Sequence, residues 1–426
     1  MTTQILEKAK AIMKNGYVCD HCLGRAFAQL TKGTTNAARG KAIRDVFAFS
    51  DDAGEKIDID AVNLNDYVFR NAKNNAAKQK PTCKICGNLF DKLNDIMKKA
   101  MKKLFRFEYE TFVVGTKVSG DIADREEVLW ELIGTEYCEP VKAEINRELG
   151  KMIEKNTGKK ADFENPDIVV LLDMDKNEIE IKPSQIWIYG LYQKLVRGIP
   201  QTKWPCRHCN GRGCKICKQK GKMYATSVEE IVAKPLIKTA KASGSSFHGS
   251  GREDINARCL GWRPFVMELQ HPVKRKLRLK EMENAINKDR RVKVKLIKFC
   301  NKDTARKIKA AKLTKTYKIV VKFEKPVGKE DIKKIMGIKD LVKQRTPVRV
   351  AHRRADLIRE RRILKLTGRI TSRKEAEFVI KTEAGMYIKE LVTGDDGRTE
   401  PSFTGVINNK AKVKALDVVE IEKIKV

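Results

Sequence analysis

Residues 247–269 read Phe-His-Gly-Ser-Gly-Arg-Glu-Asp-Ile-Asn-Ala-Arg-Cys-Leu-Gly-Trp-Arg-Pro-Phe-Val-Met-Glu-Leu and join a glycine-rich loop to an apolar run. Gly249 and Gly251 leave the backbone free to adopt positive φ, which predicts a tight turn carrying Asp254. Pro264 is expected to start the strand that follows, because proline is tolerated at the first residue of a strand. The stretch therefore predicts a loop that presents a carboxylate next to a buried strand.

Asp254 is the candidate catalytic residue of this loop. Arg252 and Arg258 flank it in the sequence, and nearby guanidinium groups would lower the pKa of its carboxyl group. An ionised carboxylate held in this way suits a nucleophile or an anion that stabilises positive charge. The alternative is a surface turn with local ion pairs, because loops that contain Gly, Arg and Asp are common.

The chain is strongly basic. Its 89 Lys and Arg residues against 55 Asp and Glu residues give a formal net charge of +34. Residues 226–426 hold 50 basic against 25 acidic residues, and residues 1–225 hold 39 against 30. This excess indicates a polyanionic partner, and we expect nucleic acid. The alternative is the lysine-rich surface of a protein from a salt-rich or thermophilic cell.

The sequence contains no apolar run of about 18 residues and no signal-peptide pattern. We therefore expect no membrane segment and a cytoplasmic location.

Eight of the 11 cysteines occur as Cys-x2-Cys pairs, the spacing typical of metal knuckles. Cys19 and Cys22 with Cys83 and Cys86 are interpreted as one zinc site with four cysteine ligands. A second set consists of Cys206, Cys209, Cys214 and Cys217, with a glycine-rich spacer between its two pairs. A reducing cytosol disfavours disulfides. Free or redox-active thiols, an iron–sulfur centre at the second set, and exchange of partners between the sets stay open as alternatives.

The N-terminal half has mixed periodicity. Helices are predicted at 3–15 and 39–49, and the polar segment 50–82 is expected to include an insertion. From residue 104 the pattern predicts a strand (105–118), a helix (141–156) and three further strands (167–173, 178–182 and 185–189). This α+β module carries no candidate residues for acid–base catalysis, so we expect its role to be binding.

The C-terminal half combines strands with basic segments. Alternation predicts strands at 291–298 and 316–323, with a basic helix at 302–312 between them. Residues 343–363 hold seven arginines and one lysine. Because arginine makes bidentate contacts with phosphate, this segment is expected to grip a phosphate backbone.

Three short motifs occur in the order found in pseudouridine synthases. They are Gly251-Arg-Glu-Asp254, Lys315-Thr-Tyr317 and Glu383-Ala-Gly-Met-Tyr-Ile-Lys-Glu-Leu391. The last is similar to the Gly-Thr-Tyr-Ile-Arg-x-Leu element of the branch that modifies a T-arm uridine. Together with the N-terminal cysteine pairs and the β-rich module, which resembles a THUMP domain, nearly the whole chain resembles the archaeal and eukaryotic tRNA pseudouridine synthases acting on positions 54 and 55. The second cysteine set resembles the archaeal members better.

The resemblance implies a role for each matching residue. Asp254 would be the nucleophile, and Tyr317 would stack on the target uracil. Lys389 would pair with Asp254. The other candidate substrate-site residues are Tyr387, which would contact the substrate, and Ile388 and Leu391, which would pack beneath the Asp254–Lys389 pair. Arg252 is the last candidate, and either Arg252 or Lys389 would keep Asp254 charged.

Two positions depart from the motif of the T-arm branch. Met386 stands where that branch has threonine, and Lys389 stands where arginine is usual. A lysine offers a point charge instead of a planar fork, so its pairing with Asp254 is expected to be less rigid.

These observations predict an α+β protein in three parts: a zinc-knuckle region (1–100), a THUMP-like RNA-binding module with the second cysteine set (101–225), and a pseudouridine synthase catalytic domain with a central, mainly antiparallel sheet (226–426). The expected activity is isomerisation of tRNA uridine 54 and/or 55, with structural zinc, no cofactor for the chemistry and no required protein partner. The alternatives are a non-catalytic zinc-containing RNA-binding or chaperone protein, and a radical or thiolation enzyme that uses the cysteines as a cluster.

Overall fold

The computed structural model describes residues 2–70, 81–338 and 340–424. The chain divides into two compact units, Met1–Ser184 and Gln185–Val426, called unit 1 and unit 2 below. The expected insertion at 50–82 lies partly outside the described residues, which omit 71–80.

Unit 1 combines helices with a small sheet. Its helices are α1 (Thr2–Met13), α2 (Asp20–Arg25), α3 (Asn36–Asp52), α4 (Leu93–Leu104), α5 (Gly120–Ile133) and α6 (Val141–Thr157), with 3-10 turns at Ala61–Leu64 and Leu89–Lys92. Its strands are β1 (Thr111–Lys117), β2 (Lys160–Ala161), β3 (Ile168–Asp173) and β4 (Glu178–Pro183), in the order β2-β1-β3-β4. β1 runs parallel to both β2 and β3, and β4 is antiparallel to β3.

One hydrophobic core runs through unit 1. Buried residues of α1 such as Ala9 and Met13 belong to the same core as Phe112 of β1 and Ile145 of α6. Cysteines of the first set, including Cys22 and Cys83, are part of it as well. Compactness therefore does not separate the predicted ranges 1–100 and 101–225, and the three-part division stays a prediction.

Unit 2 is built on a large sheet. Its strands are β5 (Ile186–Lys194), β6 (Gly244–Gly249), β7 (Arg258–Gln270), β8 (Val292–Cys300), β9 (Lys315–Phe323), β10 (Asp340–Arg345), β11 (Ile358–Ser372), β12 (Glu375–Thr382), β13 (Thr399–Glu400) and β14 (Ala411–Ile421). Its helices are α7 (Val228–Ala240), α8 (Leu279–Asn287), α9 (Lys302–Ala310), α10 (Lys329–Met336), α11 (Ile388–Thr393) and α12 (Phe403–Ile407), with a 3-10 turn at Val348–Arg353.

The sheet of unit 2 has ten strands in the order β13-β10-β11-β12-β9-β14-β7-β5-β8, with β6 paired to β7. β14 and β7 run parallel, and the neighbouring pairs β14–β9 and β5–β7 are antiparallel. The mainly antiparallel sheet predicted for the catalytic domain is thus confirmed. In its centre, Tyr317 of β9 pairs with Val418 of β14, which in turn pairs with Cys259 of β7, so these three residues form one row across the sheet.

Three predicted elements differ from the structure. The strand predicted at 105–118 begins only at Thr111, because Phe105 to Phe107 close the turn after α4 through hydrogen bonds to Met101, Lys103 and Leu104. The strand predicted at 185–189 is present as β5, but it pairs with β7 and β8 of unit 2 and does not complete the sheet of unit 1. Pro264 does not start a strand, since β7 begins at Arg258.

Among the helices of the described ranges, none is both long enough and apolar enough to pass through a membrane.

Candidate active site

The loop between β6 and β7 carries Asp254. Gly251 has φ +68°, a conformation that glycine adopts without strain, as the sequence predicted. Gly249 is required for another reason: a Cβ atom there would lie 2.8 Å from Nε2 of Gln201. That Gln201 amide donates hydrogen bonds to the Gly251 carbonyl oxygen (2.9 Å) and to Oη of Tyr192 (2.7 Å), so it ties the loop to β5.

A buried ionic network lies under the loop. The Glu253 side chain is fully buried, with Oε2 3.1 Å from Nε of Arg263 and Oε1 3.7 Å from Nζ of Lys194. Tyr192 donates its hydroxyl proton to the same Glu253 carboxylate at 2.9 Å. Buried charges are tolerated when they are paired and hydrogen-bonded, so these side chains fix the backbone on which Asp254 stands.

Lys194 also binds the loop backbone directly. Its ammonium group donates to the carbonyl oxygens of Ile199 (3.0 Å), Asp254 (3.0 Å) and Ile255 (3.2 Å). Burial lowers the pKa of Lys194, and Glu253 opposes this by favouring the charged form.

Two cations hold the Asp254 carboxylate. Nη1 of Arg349 lies 3.2 Å from Oδ1, and Nζ of Lys389 lies 3.0 Å from Oδ2. Burial by itself would raise the pKa of Asp254, but the charges of Arg349 and Lys389 outweigh burial and hold this pKa below its ordinary value. The carboxylate is therefore ionised near neutral pH and has one cation on each oxygen.

Glu390 fixes the position of Arg349. Its two carboxylate oxygens accept from Nε (2.6 Å) and Nη2 (3.3 Å) of Arg349, while Nη1 of the same guanidinium reaches Asp254. Such bidentate pairs restrict orientation as well as distance. Glu390 is 3% exposed, whereas Arg349 reaches the cleft, so the buried acid aims the cation at Asp254.

These side chains line a cleft of about 390 Å³. Tyr317, Tyr387 and Ile388 provide an aromatic and apolar wall, and Arg252 and Lys389 also belong to the lining. Further cations on the lining are Arg263, Lys315, Arg349, Arg354, Arg359 and Arg361. A cleft with the Asp254 carboxylate, an aromatic wall and a cationic lining can receive a planar base attached to a phosphate backbone.

Tyr317 and Lys315 lie on the same strand and point into this cleft. Burial raises the pKa of Tyr317 to about 12, so its hydroxyl group is neutral at physiological pH. Burial also lowers the pKa of Lys315 to about 8, helped by the charge of Arg263. Nζ of Lys315 donates to the Leu313 carbonyl oxygen at 3.0 Å.

The structure brings most of the predicted site residues together, with two differences. Leu391 is fully buried in the core that also contains Tyr317 and does not line the cleft. Arg258 does not support Asp254, because its guanidinium binds Asp417 on β14 with Nη2 2.7 Å from Oδ2. The prediction that Arg258 lowers the pKa of Asp254 is therefore wrong, and Arg349 takes this role together with Lys389.

Sequence reasoning did not single out Arg349, Glu390 or Lys194. Arg349 was one of seven arginines expected to bind phosphate, and it lies 95 residues from Asp254 in the chain. The available signal was Glu390, an acidic residue next to Lys389 in the third motif. Because Lys389 must remain available to pair with Asp254, the neighbouring Glu390 is expected to pair with a different cation.

Each cysteine set forms its own cluster. The Sγ atoms of Cys19, Cys22, Cys83 and Cys86 all lie within 4.8 Å of one another, and the same holds for Cys206, Cys209, Cys214 and Cys217. The two sets therefore do not exchange partners. Backbone amides of Gly213 and Gly221 donate to the sulfur atoms of Cys209 (3.1 Å) and Cys217 (3.2 Å). Either cluster could hold a metal ion.

Comparison with known proteins agrees with this geometry. The family described as "Pus10, C-terminal" matches residues 187–422, and the family "Pus10 THUMP domain, archaeal" matches residues 96–173, which confirms the expected THUMP-like module. A relative from Methanothrix thermoacetophila named tRNA pseudouridine synthase Pus10 is 37% identical over 433 residues, covering 99% of this chain and 95% of the relative. Relatives of the same name are 38% identical over 428 residues in Methanothermobacter marburgensis (98% of each chain) and 42% identical over 346 residues in Archaeoglobus fulgidus (80% of this chain, 94% of the relative). The chain therefore belongs to the Pus10 family, and the three relatives described above are named tRNA pseudouridine synthases.

Proposed function

We propose that this protein isomerises uridine to pseudouridine in tRNA, at position 54 and/or 55 of the T arm, with Asp254 as the nucleophile. The observation that supports this most directly is the Asp254 carboxylate, which has Lys389 on one oxygen and Arg349 on the other at the wall of a cleft that contains Tyr317. The names of the relatives agree with the substrate class.

The cleft suits a base that has left its stack. A uridine within an RNA arm must be turned out before its glycosidic bond can be reached, and an aromatic side chain compensates for the stacking that is lost. Tyr317 offers this surface, and its raised pKa of about 12 keeps the ring neutral. Tyr387, Ile388 and Arg252 complete the walls of the cleft around the base and its ribose.

Asp254 then attacks the substrate, either at the anomeric carbon of the ribose or at carbon 6 of the uracil ring. The bond between the ring nitrogen and the ribose breaks, the uracil turns, and its carbon 5 forms the new bond to the anomeric carbon while the proton on carbon 5 is lost. Substrate and product are isomers, so the reaction needs no oxidant, reductant or cofactor. Arg349 and Lys389 keep Asp254 ionised for attack and stabilise it when it is released.

We further propose that both cysteine clusters hold zinc in a structural role. A tetrahedral ion with Zn–S bonds of about 2.3 Å places its sulfur ligands about 3.8 Å apart. The observed separations fit this edge: 3.6 Å for Cys19–Cys86, 3.9 Å for Cys206–Cys214 and 3.9 Å for Cys209–Cys217. They are far longer than a disulfide bond of about 2.05 Å.

The experiment is a tritium-release assay on tRNA transcribed with uridine tritiated at carbon 5, using only protein, RNA and buffer. Release by the wild type and none by Asp254→Ala is the expected result, because the carbon 5 proton is lost when the new bond forms. Transcripts with cytidine at position 54 or at position 55 assign the modified position. Release with this chain as the only protein present would also support the expectation that no partner subunit is required.

The control separates catalysis from binding. Asp254→Ala should bind tRNA at least as tightly as the wild type, because it removes a negative charge from a cationic cleft. Equal binding by both proteins with no tritium release from either would favour the non-catalytic RNA-binding alternative. Iron in place of zinc in the purified protein, with visible absorbance, would favour the radical or thiolation alternative.

A further inference from the structure

The second cysteine set lies in a compact loop that the chemistry at Asp254 does not use. Residues 203–224, called the knuckle module below, are closed at their base by a bridge between Pro205 and Lys222 and by an edge-to-face contact between Trp204 and Tyr224 with ring centroids 5.7 Å apart. Two backbone hydrogen bonds support this closure, Cys206 N to Gly221 O (2.9 Å) and Met223 N to Trp204 O (3.0 Å). The module is thus a folded projection of unit 2.

The outer surface of this module is cationic and unpaired. Arg207, Arg212, Lys215, Lys218 and Lys220 are all exposed. In the part of the chain that the structure describes, none of the five has a carboxylate within 4.0 Å. The reason is visible in the sequence, which contains no Asp or Glu from residue 181 to residue 228.

Three exposed lysines on other elements of unit 2 are each paired with an acid. Lys280 on α8 lies 2.7 Å from Glu283, Lys333 on α10 lies 2.8 Å from Glu330, and Lys414 on β14 lies 2.8 Å from Glu375. A lysine-rich surface that serves solubility interleaves both signs of charge. The knuckle module lacks that interleaving, which is the arrangement expected of a surface that meets an external polyanion.

Charge neutralisation of the metal centre does not account for these residues. A Zn²⁺ ion bound by four thiolates would have a formal charge of minus two. The module has seven basic side chains, the five exposed cations with Lys203 and Lys222. Lys222 is engaged with Glu230 at 2.6 Å, yet the six remaining cations still exceed the charge of the centre.

The base of the knuckle module lies next to the loop that carries Asp254. Gln201, two residues before the module, donates to the Gly251 carbonyl oxygen at 2.9 Å. On the other side of its base, Lys203 N donates to Glu229 at the start of α7, and Val228 N donates to Pro200 O. An RNA arm that places a uridine beside Asp254 therefore lies close to the root of the module, and both ends of the module are fixed to the body of unit 2.

We propose that the knuckle module is a second RNA-binding site, in which Arg207, Arg212, Lys215, Lys218 and Lys220 grip the phosphate backbone of the RNA whose uridine enters the cleft. Ile216 is 67% exposed between Lys215 and Lys218 and supplies an apolar contact for a ribose or base. This site rests on the proposed function for the identity of the RNA, but its binding is measurable without any reaction. The cysteine cluster acts as a scaffold that holds the cations in place.

The test compares two variants that remove the same charge. Lys215→Gln/Lys218→Gln/Lys220→Gln removes three cations from the module, and Lys280→Gln/Lys333→Gln/Lys414→Gln removes three cations that are paired with acids elsewhere. Both change the net charge equally, so a difference between them reports position. Binding of unmodified tRNA is measured by fluorescence anisotropy from ~50 to ~300 mM salt, a range over which phosphate contacts strongly affect affinity.

The module variant is expected to bind at least about tenfold more weakly at the low-salt end, and the slope of log Kd against log salt should fall by roughly 2 to 3, since each phosphate contact contributes about 0.7 to 0.9. The control should stay within about twofold of the wild type. At saturating enzyme, single-turnover tritium release should be unchanged in both variants, because Asp254, Arg349 and Lys389 are untouched.

Equal binding by the two variants would overturn the proposal. So would competition by poly-glutamate as effective as that by tRNA at equal charge, which would show a general acid-binding surface. A second variant, Arg207→Gln/Arg212→Gln, tests the other half of the module and must also weaken binding. If no protein releases tritium but the two triple variants still differ in tRNA affinity, the proposed catalytic function fails and the binding site stands.

Discussion

Glu253→Gln is the most informative single change beneath the active site. Glu253 faces both Arg263 and Lys194, each of which is fully buried. Glutamine keeps the shape of the side chain and an oxygen that can accept from Tyr192, so the variant removes charge with little change in packing. It leaves two buried cations facing a neutral amide.

Breaking a buried ion pair by removal of one partner costs ~3–5 kcal/mol. For a unit of this size a loss of 1 kcal/mol lowers Tm by roughly 2–4 °C. Glu253→Gln should therefore lower the Tm of unit 2 by roughly 6–20 °C. The matched control is Glu375→Gln, which breaks the surface pair with Lys414 and should cost at most ~1 kcal/mol.

Thermal unfolding followed by tryptophan fluorescence suits this measurement, because three of the four tryptophans, Trp187, Trp204 and Trp262, lie in unit 2. The pH dependence provides an independent check. The pKa of Lys194 is already lowered by burial, and loss of Glu253 lowers it further. Between the folded and unfolded pKa values of Lys194 the unfolded state binds more protons, so the stability of Glu253→Gln relative to the wild type should recover as pH rises from 7 towards 10. A destabilisation no larger than that of Glu375→Gln, or one that grows with pH, would refute the assignment of Glu253 as the charge that holds this network together.

Three further predictions concern the cleft and the metal sites. Arg349→Met and Lys389→Met should each raise the pKa of Asp254, so the acidic limb of the single-turnover rate should move to higher pH in both variants; Lys293→Met, which changes an exposed lysine on β8, should not move it. Burial lowers the pKa of Lys315 from 10.5 to about 8, so between these pH values the unfolded state binds more protons than the folded state. Relative to Lys315→Met, the free energy of unfolding of the wild type should therefore rise by on the order of 3 kcal/mol over that pH range. Parallel stability curves for the two proteins would contradict this. Elemental analysis should find two zinc ions per chain in the wild type and one in Cys83→Ser and in Cys214→Ser, with the larger loss of Tm for Cys83→Ser because Cys83 is fully buried in the core of unit 1; two ions in either variant would argue against four-cysteine sites.

Much of this fold and site was accessible from sequence because the informative features are local. Three of these features are short: the turn at Gly251, each cysteine pair and the third motif span fewer than about ten residues. Their chemistry follows from residue type and spacing. The resemblance of the third motif to pseudouridine synthases implied that Lys389 pairs with Asp254, and the structure places Nζ 3.0 Å from Oδ2.

The remaining features depend on pairing between distant segments. The alternation of β5 predicts a strand but carries no information about which sheet it joins, so its pairing with β7 was missed. Arg258 lies four residues from Asp254, but the start of β7 turns its guanidinium to Asp417 on β14, 159 residues later. Proximity along the chain is a poor guide once a strand begins between two residues, because pairing then decides which side chains meet.

The Arg349–Glu390 pair also resolves a conflict within the proposed function. A cleft lined by Arg354, Arg359 and Arg361 attracts phosphate, and a phosphate near Arg349 would compete with Asp254 for its guanidinium. Glu390 occupies Nε and Nη2 of Arg349 and leaves Nη1 directed at Asp254. Arg349, Lys389, Asp254 and Glu390 together have no net charge, so the nucleophile sits in a locally neutral cluster inside a cationic cleft. The surrounding arginines can then bind the RNA backbone without withdrawing the cation that keeps Asp254 ionised, and this separation of tasks explains why one arginine of the basic segment is held by a buried acid.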